Sequence, residues 1–209
     1  MTFGAAPGQK CMTNPLTGTS QASTLGDMAV NESVETAASE SVGTSASDLG
    51  LLILRIGVGA AMLQAGLIKA FDFGTTVGFM DSGGWQLPAF AALMVTVAET
   101  AGAIGVILGV LTPLAACAIA GAMICAWAVN VSTDAFWAQP FNVPFLLFVA
   151  AAALLFTGAG AYSVDARVFG RPRWSPRLAV GLLVLAFAAA ILTWLLLNGT
   201  NPIHFSSPT

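Results

Sequence analysis

Residues 50–70 read GLLILRIGVGAAMLQAGLIKA and contain two charged side chains, Arg55 and Lys69. A run of about 20 mostly apolar residues is long enough to cross the roughly 30 Å hydrocarbon core of a bilayer as a helix. Four similar runs follow, at 89–110, 114–131, 143–162 and 178–197. The sequence therefore predicts an all-α, polytopic membrane protein with five transmembrane helices.

The composition supports the same fold class. Hydrophobic residues make up 56% of the 209 residues and charged residues only 8%, whereas a soluble domain carries about 25% charged residues. A surface so poor in charge does not suit a water-soluble enzyme or a nucleic-acid binder. We therefore predict a membrane protein without a nucleic-acid partner.

Composition also divides the chain into segments. The acidic tail at 1–48 is rich in Ser, Thr, Ala and Gly, and it is predicted to be disordered because it cannot bury enough apolar surface. A four-helix membrane bundle is predicted at 49–167. A basic linker at 168–177, an additional transmembrane helix at 178–197 and a short C-terminal tail at 198–209 complete the chain.

The orientation follows from the arginines between the fourth and fifth runs, which are Arg167, Arg171, Arg173 and Arg177. Short loops rich in Lys and Arg face the cytoplasm. The linker and the N-terminus are therefore expected in the cytoplasm, and the loops at 71–88 and 132–142 outside, together with the C-terminus. The arginines could also hold anionic lipid, although topology alone accounts for them.

The cysteine and histidine content limits the redox chemistry. The chain has three cysteines (Cys11, Cys117 and Cys125), no CxxC pair and one histidine, His204. An iron–sulfur cluster is held by four ligands, usually cysteines. We therefore predict no metal site and no intrinsic cofactor, and no catalytic residue is assigned. A redox role would use a partner's centre or a diffusible carrier such as a quinone.

Glu99 is the sharpest polar feature of the apolar runs. It follows Pro88 by eleven residues, which places it about 16 Å along a helix. An ionisable group at that depth normally faces a protein interior or a water-filled cavity. We predict a polar intramembrane site that Glu99 forms with Arg55, Lys69 and Asp165.

The pairing within this site is open at the sequence level. Arg55 is expected to reach Glu99 or Asp165, and Lys69 to pair with Asp72 or Asp81 or to extend to the membrane surface. In one interpretation the charges are satisfied ion pairs that fix helix register. In the other they line a pocket for a polar head group, a quinone ring or a translocated proton, and a lipid head-group or oligomer contact is a third option.

Three segments, taken in order, resemble the DoxX family of small bacterial and archaeal membrane proteins. In the first helix, Arg55, Gly66 and Lys69 stand where the family usually has Arg, Gly and Lys. In the second helix, Glu99 and Gly102 match the family's Glu and Gly. The closing GxGxYSxD motif is matched by Gly158, Gly160, Tyr162, Ser163 and Asp165. The resemblance covers about 49–167. Ala65 stands where the family often has a histidine.

The resemblance implies a four-helix bundle in the cell membrane of a prokaryote and, for some relatives, a place in quinone-linked or thiol-linked redox complexes. We expect an accessory or scaffolding subunit rather than a self-sufficient oxidoreductase. Candidate partners are membrane lipids, a cytoplasmic oxidoreductase and a second copy of the chain. The alternative is a small transporter or proton-coupled carrier in which Glu99 is the titrating carboxylate.

Overall fold

The computed structural model describes residues 18–133 and 140–198. The chain divides after Ser45 into two compact units. The described part of the first unit, 18–45, is helical and belongs to α1 (Gly18–Phe71). The second unit begins at Ala46 and contains the last part of α1 together with all later elements.

The backbone of residues 18–48 is helical, whereas the composition of this segment predicts disorder. Proline is absent from 18–71, and the good helix formers Ala, Glu, Leu and Met recur through the segment. Residues 1–17 lie outside the described part of the chain.

The described part of the second unit is built mainly from helices. After α1 the elements are α2 (Phe73–Ser82), α3 (Pro88–Leu108), α4 (Thr112–Thr133), α5 (Val143–Thr157), α6 (Val164–Val168) and α7 (Pro176–Thr193), which continues as a π-helical segment, Trp194–Asn198. Four helices are long and apolar enough to span a membrane: Ala46–Phe71, Pro88–Leu108, Thr112–Val131 and Pro176–Asn198. The helix Val143–Thr157 is apolar but shorter. The prediction of a polytopic all-α membrane protein is confirmed.

The fourth predicted run, 143–162, is helical only as far as Thr157. Gly158 and Gly160 both have positive φ, 78° and 75°, a backbone conformation that glycine adopts without steric cost. A β-carbon on Gly158 would also collide with the Pro172 carbonyl oxygen. The predicted end of the run is therefore a turn that packs closely against the segment before α7.

The predicted loop at 71–88 contains a helix, α2. Asp72 begins it, because its carboxylate accepts a hydrogen bond from the Thr75 backbone N–H at 3.2 Å. Thr76 and Met80 on this helix are buried. The glycines and acids of this segment predict a loop, but burial of one apolar face stabilises a ten-residue helix.

Helix α4 lies at the centre of the second unit and packs against α3, α5 and α7. The buried core around it includes Met62, Val106, Ile119, Leu154 and Leu155. Glycines allow the neighbouring helices to approach one another. A β-carbon on Gly66 would overlap the Thr100 side chain of α3, and one on Gly102 would lie 2.9 Å from Ile119 of α4.

Helix α7 packs on α4 in the same chain direction. The Cys117 thiol donates to the Leu182 carbonyl at 3.2 Å, and the Cys125 Sγ lies 3.8 Å from the Ala190 carbonyl oxygen. The two contacts join residues with the same separation of 65 positions, so the helices keep one register over two turns. The additional helix is thus an integral part of the second unit.

Candidate functional site

A cavity of about 810 Å³ lies in the second unit between α1, α2, α3, α4 and α7. Its floor is α4, from Cys117 to Asn130, a length of about 20 Å along the helix axis. Small residues on α3, α4 and α7 create the space: Ala98, Ala118, Gly121, Ala122, Ala186 and Ala189. Most of the lining is therefore apolar.

One side of the cavity is open. Met94 of α3 and Leu185 of α7 both line it, and these residues are 42% and 55% exposed. The two helices flank α4, and membrane lipid would surround this face of a spanning bundle. A ligand with an apolar chain can therefore enter from the lipid between α3 and α7.

The segment that joins α2 to α3 covers one end of the cavity. The Trp85 ring, which lines the cavity, meets the Trp194 ring edge-to-face at 5.6 Å. The Gln86 backbone N–H donates to the Leu197 carbonyl at 2.7 Å, and the Asn198 amide donates to the Gly83 carbonyl at 2.8 Å. This end is thus fixed by contacts between distant parts of the chain.

The polar groups of the cavity wall lie where α1 and α2 meet α3. Lys69 Nζ is 2.7 Å from Glu99 Oε2 and also donates to the Ala65 carbonyl at 3.4 Å. The Glu99 side chain is 3% exposed and that of Lys69 28%. Since an ammonium group has three N–H donors, Lys69 retains one donor for a ligand in the cavity.

Arg55 lies elsewhere, fourteen positions before Lys69 on the same helix and about 21 Å away along its axis. Its guanidinium donates to four carbonyl groups. Two belong to the end of α3, Val106 and Ile107, at 3.0 Å each, and two to the turn after α5, Ala159 and Tyr162. Arg55 is 1% exposed, so this cluster is closed to ligands.

Asp165 lies near this cluster and holds the start of α4. Its carboxylate accepts the backbone N–H groups of Leu111 and Thr112 at 2.7 and 2.9 Å. The first N–H groups of a helix have no partner within the helix, and a carboxylate there is also favoured by the helix dipole. Asp165 is fully buried and acts as a helix cap.

Of the two partners that the sequence left open for Arg55, Glu99 is not its partner. Among the described residues the ion pair joins Glu99 to Lys69, not to Arg55, and Lys69 pairs with neither Asp72 nor Asp81. The reason is the antiparallel register of α1 and α3. Arg55 lies level with Val106, seven residues beyond Glu99, which is about 10 Å along the axis.

The DoxX family model matches residues 50–133. This segment is therefore similar to the DoxX family, and we call the matched residues 50–133 the DoxX domain. The match covers α1 from residue 50, α2, α3 and α4, including Arg55, Gly66, Lys69, Glu99 and Gly102, and it ends before the GAGAYSVD segment. Comparisons with curated proteins and with solved structures give no match.

The family-motif residues have mainly structural surroundings. Gly66 and Gly102 of the DoxX domain are the close-approach points described above. Beyond the domain, the Tyr162 carbonyl accepts from Arg55, and Ser163 Oγ accepts from the Ala166 N–H at 3.1 Å. Of the predicted polar site, the structure thus brings Lys69 and Glu99 together on the cavity wall and leaves Arg55 and Asp165 in a separate cluster.

Several cavity residues were not predicted from the sequence. Cys117 and Cys125 both line the cavity, and both thiols are free. They lie eight residues apart on α4, and the sequence does not indicate what either side chain contacts. Within 18–133 and 140–198 no group of three metal-ligating side chains occurs, and Cys11 and His204 lie outside these ranges.

Proposed function

We propose that this DoxX-like membrane protein binds a quinone in the cavity and serves as an accessory, scaffolding subunit that presents it to a redox partner. The observation that carries the proposal is the division of the cavity wall into a polar part and an apolar part. One part offers the Lys69–Glu99 pair, and the rest is a mostly apolar groove along α4.

This division suits a quinone. The ring carbonyl oxygens accept hydrogen bonds, and the third N–H of Lys69 is available to supply one. The isoprenoid chain would lie on the small residues of α4 and α7. The cavity volume, about 810 Å³, lies within the range of about 300–1,000 Å³ for small-molecule sites.

The orientation that we propose has the arginine-rich segment in the cytoplasm of a prokaryotic cell, following the positive-inside rule. Residues 71–88 and the end of α7 would then lie at the outer face of the cell membrane. The chain holds one histidine and three cysteines, so the electrons would come from a partner such as a cytoplasmic oxidoreductase. A second copy of the chain is a further candidate partner.

The alternative, a proton-coupled carrier, is favoured by one observation only, the buried Glu99 on the cavity wall. A carrier also needs a polar route along the cavity. Apart from the ion pair and the two thiols, the described lining has four polar side chains, Thr75, Thr76, Asn130 and Thr193, and the rest of it is apolar. A mostly apolar lining supports binding of an amphiphile over passage of an ion.

The free thiols of the cavity allow quinone binding to be tested by chemical labelling. In purified protein with Cys11→Ser, a small membrane-permeant maleimide labels Cys117 and Cys125, and intact-mass spectrometry follows the rate. A ubiquinone-type benzoquinone is the probe, because its four substituted ring carbons do not add thiols. We expect this quinone to slow labelling at both positions. Equal rates with and without it would refute quinone binding in the cavity.

The polar pair is tested by the double variant Lys69→Met/Glu99→Gln, which removes both charges and leaves neither partner unpaired in the apolar interior. We expect protection by the quinone to be lost while the unprotected labelling rate is kept. Protection equal to that of the parent would show that the pair does not hold the ring. Proton uptake by proteoliposomes of the parent, lost in Glu99→Gln, would instead support the carrier.

A further inference from the structure

We propose that the arginine loop, residues 167–177, is a binding site for the phosphodiester head group of an anionic phospholipid. This site lies at the other end of the second unit from the Trp85 cover and does not depend on the cavity's ligand.

Within the described residues of the second unit, no acidic side chain forms an ion pair with the arginines of the loop. Its four arginines, Arg167, Arg171, Arg173 and Arg177, are all exposed. In residues 140–198 the acidic side chain is Asp165, which is fully buried and occupied by backbone N–H groups. Asp48 lies nearby, and its carboxylate accepts from the Ala161 N–H at 3.0 Å. Within the second unit, these acidic groups are already engaged, and an external anion can supply the counter-charge of the loop.

The backbone of the loop is held in place. The Pro172 carbonyl accepts from the Ala159 and Gly160 N–H groups at 3.1 and 3.2 Å, and the Arg171 N–H donates to the Asp165 carbonyl at 3.0 Å. The Trp174 indole N–H donates to Asp165 Oδ2 at 3.4 Å. The Arg171 guanidinium lies 5.5 Å from the Trp174 ring centroid. The arginines thus extend from an ordered segment, which reduces the ordering cost of binding.

The position of the loop favours a lipid as the anionic ligand. It runs directly into the membrane-spanning helix at Pro176, so its side chains lie at the level of lipid head groups. Val168 and Phe169, 69% and 47% exposed, are next to Arg167 and offer apolar surface for the acyl region. Guanidinium groups form paired hydrogen bonds with phosphate oxygens, which suits the phosphodiester of an anionic phospholipid.

The test uses the full chain in detergent solution, where no membrane side exists and topology cannot affect the result. Native mass spectrometry measures retention of phosphatidylglycerol against phosphatidylcholine. We expect the parent to retain phosphatidylglycerol preferentially. The variant Arg167→Gln/Arg173→Gln/Arg177→Gln, which keeps the Arg171–Trp174 contact, should bind it at least about tenfold more weakly, since it removes three of the four guanidinium groups that can bind the phosphodiester.

Two controls make the result decisive. The matching triple lysine variant keeps the charge and should retain phosphatidylglycerol even if the glutamine variant fails to fold. Inorganic phosphate is the second probe. Equal retention of the two lipids by the parent, undiminished binding by a folded glutamine variant, or displacement by phosphate at the lipid's own concentration would each overturn the lipid site.

Discussion

Arg55 illustrates how a charge within an apolar helix can be wholly structural. A helix ends with carbonyl groups that have no partner in the helix, and in a membrane interior water is not available to them. Arg55 supplies donors to the end of α3 and to the turn after α5 at once. One side chain therefore fixes three segments that are far apart in sequence.

Arg55→Met should lower the free energy of unfolding by about 3 kcal/mol or more. The methionine keeps the apolar stem but leaves buried carbonyl groups without donors, and hydrogen bonds from charged groups contribute about 1.5–3 kcal/mol each. Thermal unfolding of the purified protein in detergent measures the change. Arg167→Met removes an exposed arginine and is the control, with little effect expected. Equal stability of the Arg55→Met and Arg167→Met variants would contradict the capping role.

The sequence identifies Arg55, Lys69 and Glu99 as the unusual charges of the apolar runs, but not their partners. The depth of a residue along its own helix predicts its partner on a neighbouring helix only when the register between the two helices is known. That register depends on close packing at positions such as Gly59 and Gly66, which meet Ile107 and Thr100. A lone sequence carries no measure of this packing, so it does not identify Glu99 as the partner of Lys69.

At the scale of elements, the crossing of α1 and α3 at Gly66 brings Lys69 to Glu99. Gly66 lies one turn before Lys69, and it contacts Thr100, the neighbour of Glu99. A glycine at such a point lets two helix backbones approach closely. The position of the ion pair thus depends on a residue that carries no functional group.

Gly66→Ala should destabilise the protein by about 1–3 kcal/mol, the usual cost of an added methyl group in a packed interior. It should also separate Lys69 from Glu99 and weaken quinone protection of the thiols. Gly57→Ala on the same helix, where a β-carbon meets nothing within 4 Å, is the matched control. It should not lower the stability, since alanine favours a helix over glycine, and it should leave quinone protection unchanged. Unfolding midpoints and labelling rates report the two effects, and identical behaviour of the two variants would rule out the packing role.

The long apolar helices are predictable from the sequence because a span of about 20 apolar residues has few other stable environments. The shorter elements are less predictable from the sequence. Apolar composition continues beyond Thr157, yet the backbone turns at Gly158 because its φ is positive. Helix α2 is stabilised by burial of Thr76 and Met80, a tertiary effect that local sequence does not contain.

At the scale of the whole molecule, the cavity is not a property of the DoxX domain alone. The matched residues 50–133 supply its floor on α4 and its wall on α3, whereas α7 supplies the opposite wall through Leu185, Ala186 and Ala189. The parallel packing of α7 on α4 places a small residue of one helix beside a small residue of the other. A helix outside the family match therefore decides the width of the site.

Ala189 allows this role of α7 to be tested without disturbing the core. It lines the cavity and is exposed, so Ala189→Phe should fill part of the groove while the fold is retained. We expect the unfolding midpoint to stay near that of the parent and quinone protection of Cys117 and Cys125 to be lost. Ala188→Phe, at an exposed position outside the cavity lining, should keep protection. If both phenylalanine variants protect the thiols equally, α7 does not bound the binding site, and the quinone lies on the DoxX domain by itself.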